Sequence, residues 1–130
     1  MQRLVDDAVS KGARLLAGGY IPSAETAVGR GSFYPPTLLV DVPEHALIRK
    51  EEIFGPIMCV IKVPRDSDAE AVRMVNDNDF ALGSCVWSGS QARARAIARQ
   101  LDAGMSAIND LGGTTYMSCL LYTSDAADDS

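Results

Sequence analysis

Apolar positions recur along this chain with two different periods, and the changes of period mark out its elements. In QRLVDDAVSK, Leu4, Val5, Ala8 and Val9 fall on one helical face, and Gly12 stands where a left-handed C-terminal cap belongs. ARLLAGG reads as a short strand running into a glycine turn. IPSAETAVGRGS has no period and several turn formers, which predicts a surface loop. In FYPPTLLVDV, Pro35 and Pro36 force an extended approach to a strand over Leu38 to Val42. IMCVIKV, Ile57 to Val63, is apolar at nearly every position, as expected of a strand covered on both faces. Ser67 then precedes Glu70 by the spacing of a capping box, opening a helix with Ala71, Val72 and Val75 on one side. ALGSCVWS is a second buried-looking strand. Ser90 can cap the next helix, where Ala94, Ile97, Ala98 and Leu101 share a face and Gly104 ends it. MSAIN, Met105 to Asn109, is a third strand. The order strand, helix, strand, helix, strand implies an α/β fold with parallel pairing and right-handed crossovers.

Composition narrows the function classes. The chain has 130 residues, 47% of them hydrophobic and 22% charged, which suits one modest soluble domain. A formal charge of −5 argues against a general nucleic-acid binder. No apolar run approaches the roughly 20 residues a membrane span needs, and the N-terminus lacks the cationic and apolar regions of a secretory signal. Three cysteines without metal-like spacing read as reduced thiols in a cytoplasmic protein, and no metal set is expected.

The most informative stretch is KEEIFGPI, Lys50 to Ile57, where charges stand directly before an apolar strand. Taken alone, such a glutamate pair is an ordinary solvated edge. EEIFGP is followed, however, by an apolar strand, a helix, NDNDFALGS, a second helix and AGMSAIND, and is preceded by KGARLLAGG and SFYPPTLLVDV. In that order these segments resemble the C-terminal half of the NAD(P)-dependent aldehyde dehydrogenase superfamily, over about residues 2 to 118. The resemblance implies a parallel three-layer sheet with flanking helices, forming part of a catalytic domain. It implies that Glu52 accepts hydrogen bonds from the two hydroxyls of the nicotinamide ribose, a task that suits the two acceptor oxygens of a carboxylate. It implies that Phe54 borders the nicotinamide, and that Gly55 and Pro56 set a sharp bend before the strand. The cofactor would be NAD or NADP.

The other chemically tempting residues carry less. Lys50 and Glu51 read as solvated flanks. Asn109 is either a pocket residue near the family's substrate entrance or a turn former. His45 is expected at the surface. Cys59 and Cys85 sit in apolar strands, where a thiol acts as a small hydrophobe with a raised pKa, and neither resembles the family's nucleophile. Trp87 is expected to pack against a helix.

In the family, a cysteine thiolate attacks the aldehyde to give a thiohemiacetal, hydride passes to the nicotinamide, and a glutamate-activated water hydrolyses the thioester. The sequence contains neither the glycine- and glutamine-flanked nucleophile motif, nor the general base, nor a dinucleotide-binding domain. It therefore reads as a fragment with no catalytic residue of its own, from a parent that oxidises aldehydes as a homo-oligomer. The alternative is a truncated, non-catalytic product that associates with full-length subunits. After Ser118 the family pattern stops. CLLYTSDAADDS resembles translated sequencing adapter and is expected to be an unrelated, disordered tail over residues 119–130.

Overall fold

The computed structural model describes residues 1–20 and 33–110. The loop expected over residues 21–32 and the tail expected over residues 119–130 lie outside the described residues. The chain divides into two compact units, Met1–Pro64 and the part from Arg65 onward.

The first unit is built on α1 (Gln2–Ser10) and a three-stranded sheet of β1 (Arg14–Ala17), β2 (Thr37–Val40) and β3 (Ile57–Val60), in the order β1-β2-β3. As the helical period requires, Leu4, Val5 and Ala8 of α1 are buried; Val9, expected beside them, is exposed. Gly12 follows the helix at φ +109°, a conformation that costs residues with a Cβ. β1 runs antiparallel to β2, with a bulge at Leu16 between the pairs Leu15–Leu39 and Ala17–Leu38. β2 and β3 are parallel, pairing Leu39 with Cys59 and Val40 with Val60. Their crossover holds no α-helix, only a 3-10 turn at Leu47–Arg49. The core joins Leu4, Val5, Ala8, Ala13, Leu39, Val42, Ala46 and Ile48, with Ile53, Ile57, Cys59 and Ile61 packed against it.

Two close approaches pin this unit. Gly18 and Gly19 both have positive φ, and a Cβ on Gly18 would stand 2.2 Å from the Pro36 carbonyl oxygen. The buried Thr37 hydroxyl donates to the Pro35 carbonyl at 2.8 Å and accepts the Gly19 N–H at 2.9 Å. The expected glycine turn is therefore welded to the proline-led start of β2.

Among the described residues, β2 and β3 bury alternate positions, whereas β1 is exposed throughout. The burial of β3 alternates, with Ile57 and Cys59 turned inward while Met58 is 65% and Val60 47% exposed. The sequence predicts cover on both faces because both faces are apolar; apolarity records what a strand can bury and not what lies over it. The strand also ends at Val60, short of the expected Val63.

The second unit contains α2 (Asp68–Asn76), β4 (Gly83–Val86), α3 (Gln91–Ala98) and β5 (Met105–Ile108). β4 and β5 pair in parallel, from Gly83–Met105 to Val86–Ile108, with α3 as the crossover. Parallel pairing thus holds within β4–β5, whereas the hydrogen-bonded neighbour of β3 is β2. The Ser90 side chain accepts the Arg93 N–H and caps α3, as its spacing predicts. The capping box expected of Ser67 and Glu70 does not form. Arg73, one turn on, holds both Glu70 oxygens at 2.9 and 2.7 Å, and the Ser67 side chain makes no cap hydrogen bond. The α3 helix ends at Ala98, well before Gly104, whose N–H instead donates to the Ala81 carbonyl. Arg93 donates to both oxygens of Asp68 and ties α3 to the start of α2. Val86 and Ala94 are buried, but Cys85 and Trp87, expected inside, are exposed. Among the described residues, no helix is long and apolar enough to cross a membrane.

Candidate cofactor-binding site

The segment Glu51–Pro56 leads into β3 through a bend at Gly55 and Pro56. Ile53 is half-buried against the core, in step with Ile57, Cys59 and Ile61. Glu52 and Phe54 are exposed, in step with Met58 and Val60. One carboxylate and one phenyl ring, two residues apart, are thus both open to solvent just ahead of β3. Phe54 is 74% exposed. Among the described residues, nothing hydrogen-bonds the Glu52 carboxylate.

The backbone around the pair is fixed. Gly55 and Pro56 form the expected bend; the Pro56 carbonyl accepts the Thr37 N–H at 2.8 Å, and the Ile57 N–H donates to the Gly55 carbonyl at 2.8 Å. A Cβ on Gly55 would lie 2.0 Å from the Met1 sulfur, the end of a flexible side chain that can move aside. Upstream, the Lys50 and Glu51 N–H groups both donate to the Leu47 carbonyl.

Glu51 is more than a solvated flank, because it forms an ion pair with Arg3 of α1. Sequence reasoning missed this link. Its trace was the spacing of Arg3, Asp7 and Lys11, four residues apart along one stripe of α1. Asp7 accepts from Lys11 and from the Leu47 backbone N–H, and these two bonds hold its carboxyl below the usual carboxylate range. The Lys11 ammonium donates in turn to the His45 carbonyl at 3.0 Å. His45 itself is exposed, as expected.

The remaining candidates resolve into structural parts. Cys59 is half-buried against the core, and burial pushes its thiol up, which suits a packing residue and not a nucleophile. Asn109 takes the turn-former alternative. It sits at φ +51°, and its amide bonds both ways with Ser88: it accepts the Ser88 N–H at 2.8 Å and donates to the Ser88 carbonyl at 2.9 Å. Cys119 lies outside the described residues. Among the described residues, no group of His, Cys, Asp and Glu could hold a metal ion.

The sequence pattern of the aldehyde dehydrogenase family matches residues 1–119. The chain belongs to that family. It is 43% identical over 105 residues to a glutarate-semialdehyde dehydrogenase of Pseudomonas aeruginosa, covering 81% of this chain and 20% of the relative. Among solved structures, it superposes on a Mycobacterium tuberculosis aldehyde dehydrogenase complexed with NAD+ (TM-score 0.71, 30% identity, 83% of this chain and 21% of that one). It also superposes on a Streptococcus pyogenes succinic semialdehyde dehydrogenase in complex with NADP+ (TM-score 0.68, 33% identity, 84% and 22%). The chain thus spans about a fifth of the length of these relatives. The α/β fold and family expected from EEIFGP and its neighbours are those found.

Proposed function

We propose that this chain is the nicotinamide-facing segment of an aldehyde-oxidising enzyme, in which Glu52 and Phe54 hold the cofactor and the reacting groups belong to other parts of the parent polypeptide. The observation that carries this reading is the pair itself. A carboxylate without a partner among the described residues and a largely bare phenyl ring stand two residues apart on a braced segment. NAD or NADP, when bound, accepts hydride from the substrate; the chain's own contribution is to hold one end of it. Glu52 offers two acceptor oxygens to a vicinal diol, and ionised acceptors make the stronger hydrogen bonds. Phe54 offers a flat apolar surface that limits rotation of the nicotinamide ring and keeps water from that side. Gly55 and Pro56 fix where the two side chains start. The neighbours solved with NAD+ and with NADP+ support this reading without deciding between the two cofactors.

Alone, the chain is inactive on this account, because no group in it attacks an aldehyde or activates water. It acts in the cytoplasm within a homo-oligomeric parent and takes neither nucleic acid nor a membrane as partner. Residues 1–118 are the functional portion, and residues 119–130 contribute nothing to it.

The test sets the segment in a full-length frame. The matching stretch of this chain replaces that of the Pseudomonas aeruginosa relative, and the chimera is assayed with aldehyde and NAD(P). Glu52→Gln should weaken productive cofactor binding by about 10- to 100-fold in KM for NAD(P), the scale of hydrogen bonds to a charged group. Phe54→Ala should lower kcat as well, by loosening the ring. Unchanged cofactor kinetics in both variants would remove the assignment.

A further inference from the structure

The way the cofactor segment is held suggests positioning residues beyond the motif. The 3-10 turn Leu47–Arg49 begins with N–H groups that need an acceptor, and the residue before it, Ala46, has no side chain to supply one. The acceptor comes from another element: Asp7 Oδ2 on α1, 2.8 Å from the Leu47 nitrogen. On either side of Asp7 along the helix, Lys11 grips the His45 carbonyl and Arg3 grips Glu51. Lys11 also pairs with Asp7 at 2.7 Å, so the ties are coupled. Between the gripped residues, Ala46 and Ile48 are plugged into the core. Glu52 directly follows the last tie, and it and Phe54 are both exposed.

We infer that Arg3, Asp7 and Lys11 are positioning residues for the cofactor site, a polar ladder on one stripe of α1 that fixes the backbone of residues 45–51 and so aims Glu52 and Phe54. The inference rests on the cofactor reading of Glu52 and Phe54. It extends the site to three side chains that touch neither cofactor nor substrate. Asp7 is the central rung, because it alone bonds both the turn's backbone and a second rung.

The test begins with the full 130-residue chain and follows backbone amide exchange residue by residue. Asp7→Ala removes the acceptor; Asp7→Asn keeps an acceptor oxygen toward Leu47. Asp7→Ala should speed exchange about three- to tenfold at Leu47 and at Lys50 and Glu51, whose N–H groups donate to the Leu47 carbonyl, while the amides of Leu39 and Cys59 keep their rates. Asp7→Asn should restore most of the protection. A uniform rise across the unit, or a rise confined to Leu47, would overturn the inference. The same substitutions in the chimera give a second measurement that does not need the isolated chain to stay folded. There, Asp7→Ala should raise KM for NAD(P) about three- to tenfold with kcat nearly unchanged, and Asp7→Asn should recover it. A lowered melting temperature with an unaltered KM would mean that the ladder only stabilises. Glu52→Gln separates the two claims. If it raises KM while Asp7→Ala does not, the cofactor reading stands and the ladder falls; if Glu52→Gln itself leaves KM unmoved, the cofactor reading falls first.

Discussion

Because β2 and β3 bury alternate positions, Leu39 and Met58 on these adjacent strands should respond to truncation in opposite ways. Leu39 of β2 is 0% exposed and is surrounded by α1 and the inward side chains of β3. Met58 of β3 is 65% exposed and pairs with Leu38 on the other face. Leu39→Ala removes buried hydrocarbon and leaves a cavity that packed neighbours fill only partly, at a cost of about 2–5 kcal/mol. Met58→Ala removes side chain from water and should stay within about 0.5 kcal/mol of the parent chain. Against a net stability of about 5–15 kcal/mol for an ordinary domain, the first loss is severe. It is more so here, since each large apolar side chain left bare forgoes about 1.5–3 kcal/mol. Urea unfolding of the 130-residue chain followed by circular dichroism is the assay. With a slope of about 1–3 kcal/mol/M, Leu39→Ala should lower the midpoint by about 1 M or more, or abolish the transition, while Met58→Ala barely moves it. Equal shifts, or a larger one for Met58→Ala, would refute the alternate burial. The parent chain should also bind the dye ANS strongly, and Met58→Thr with Val60→Thr should reduce the signal.

Further outcomes follow from individual contacts. Gly18→Ala should destabilise the first unit markedly, since φ is +68° and the added Cβ would overlap the Pro36 carbonyl; thermal denaturation reads it. Ser90→Ala should cost about 1 kcal/mol by removing the cap of α3, seen as faster amide exchange in its first turn. Stability should fall in acid: Lys11 and Leu47 hold Asp7, Arg93 holds Asp68 and Arg73 holds Glu70 below their ordinary values. A carboxyl whose folded pKa is depressed adds stability above its unfolded pKa and loses it as pH falls through the folded one. Unfolding midpoints should therefore be level above about pH 5 and drop progressively below about pH 4.

How much was legible depends on the range of the interaction involved. The helix over Leu4, Val5 and Ala8 and the Ser90 cap follow from spacing, because each is decided within a few residues, and the parallel β4–β5 pair follows from the order strand, helix, strand. Local rules failed where two were in competition. Glu70 had the spacing of a cap but also Arg73 one turn away, and the bidentate pair won. They failed again where burial depends on what is packed over a strand: Trp87, Cys85, Met58 and Val60 are apolar enough to be covered and stand exposed. The motif EEIFGP was readable as a motif; that Ile53 packs against the core while Glu52 and Phe54 stand exposed became visible only in the fold. The grip of α1 on residues 45–51 was not readable, since it joins side chains some forty residues apart and needs the fold to bring them together.

The central claim is that Glu52 meets the sugar of a nicotinamide cofactor. A crystal structure of the chimeric enzyme with NAD(P) tests it most directly. The account predicts the two Glu52 carboxylate oxygens within about 2.5–3.2 Å of the nicotinamide ribose hydroxyls, with the Phe54 ring alongside the nicotinamide. A Glu52 side chain turned into solvent, with the ribose bonded by other residues, would contradict it.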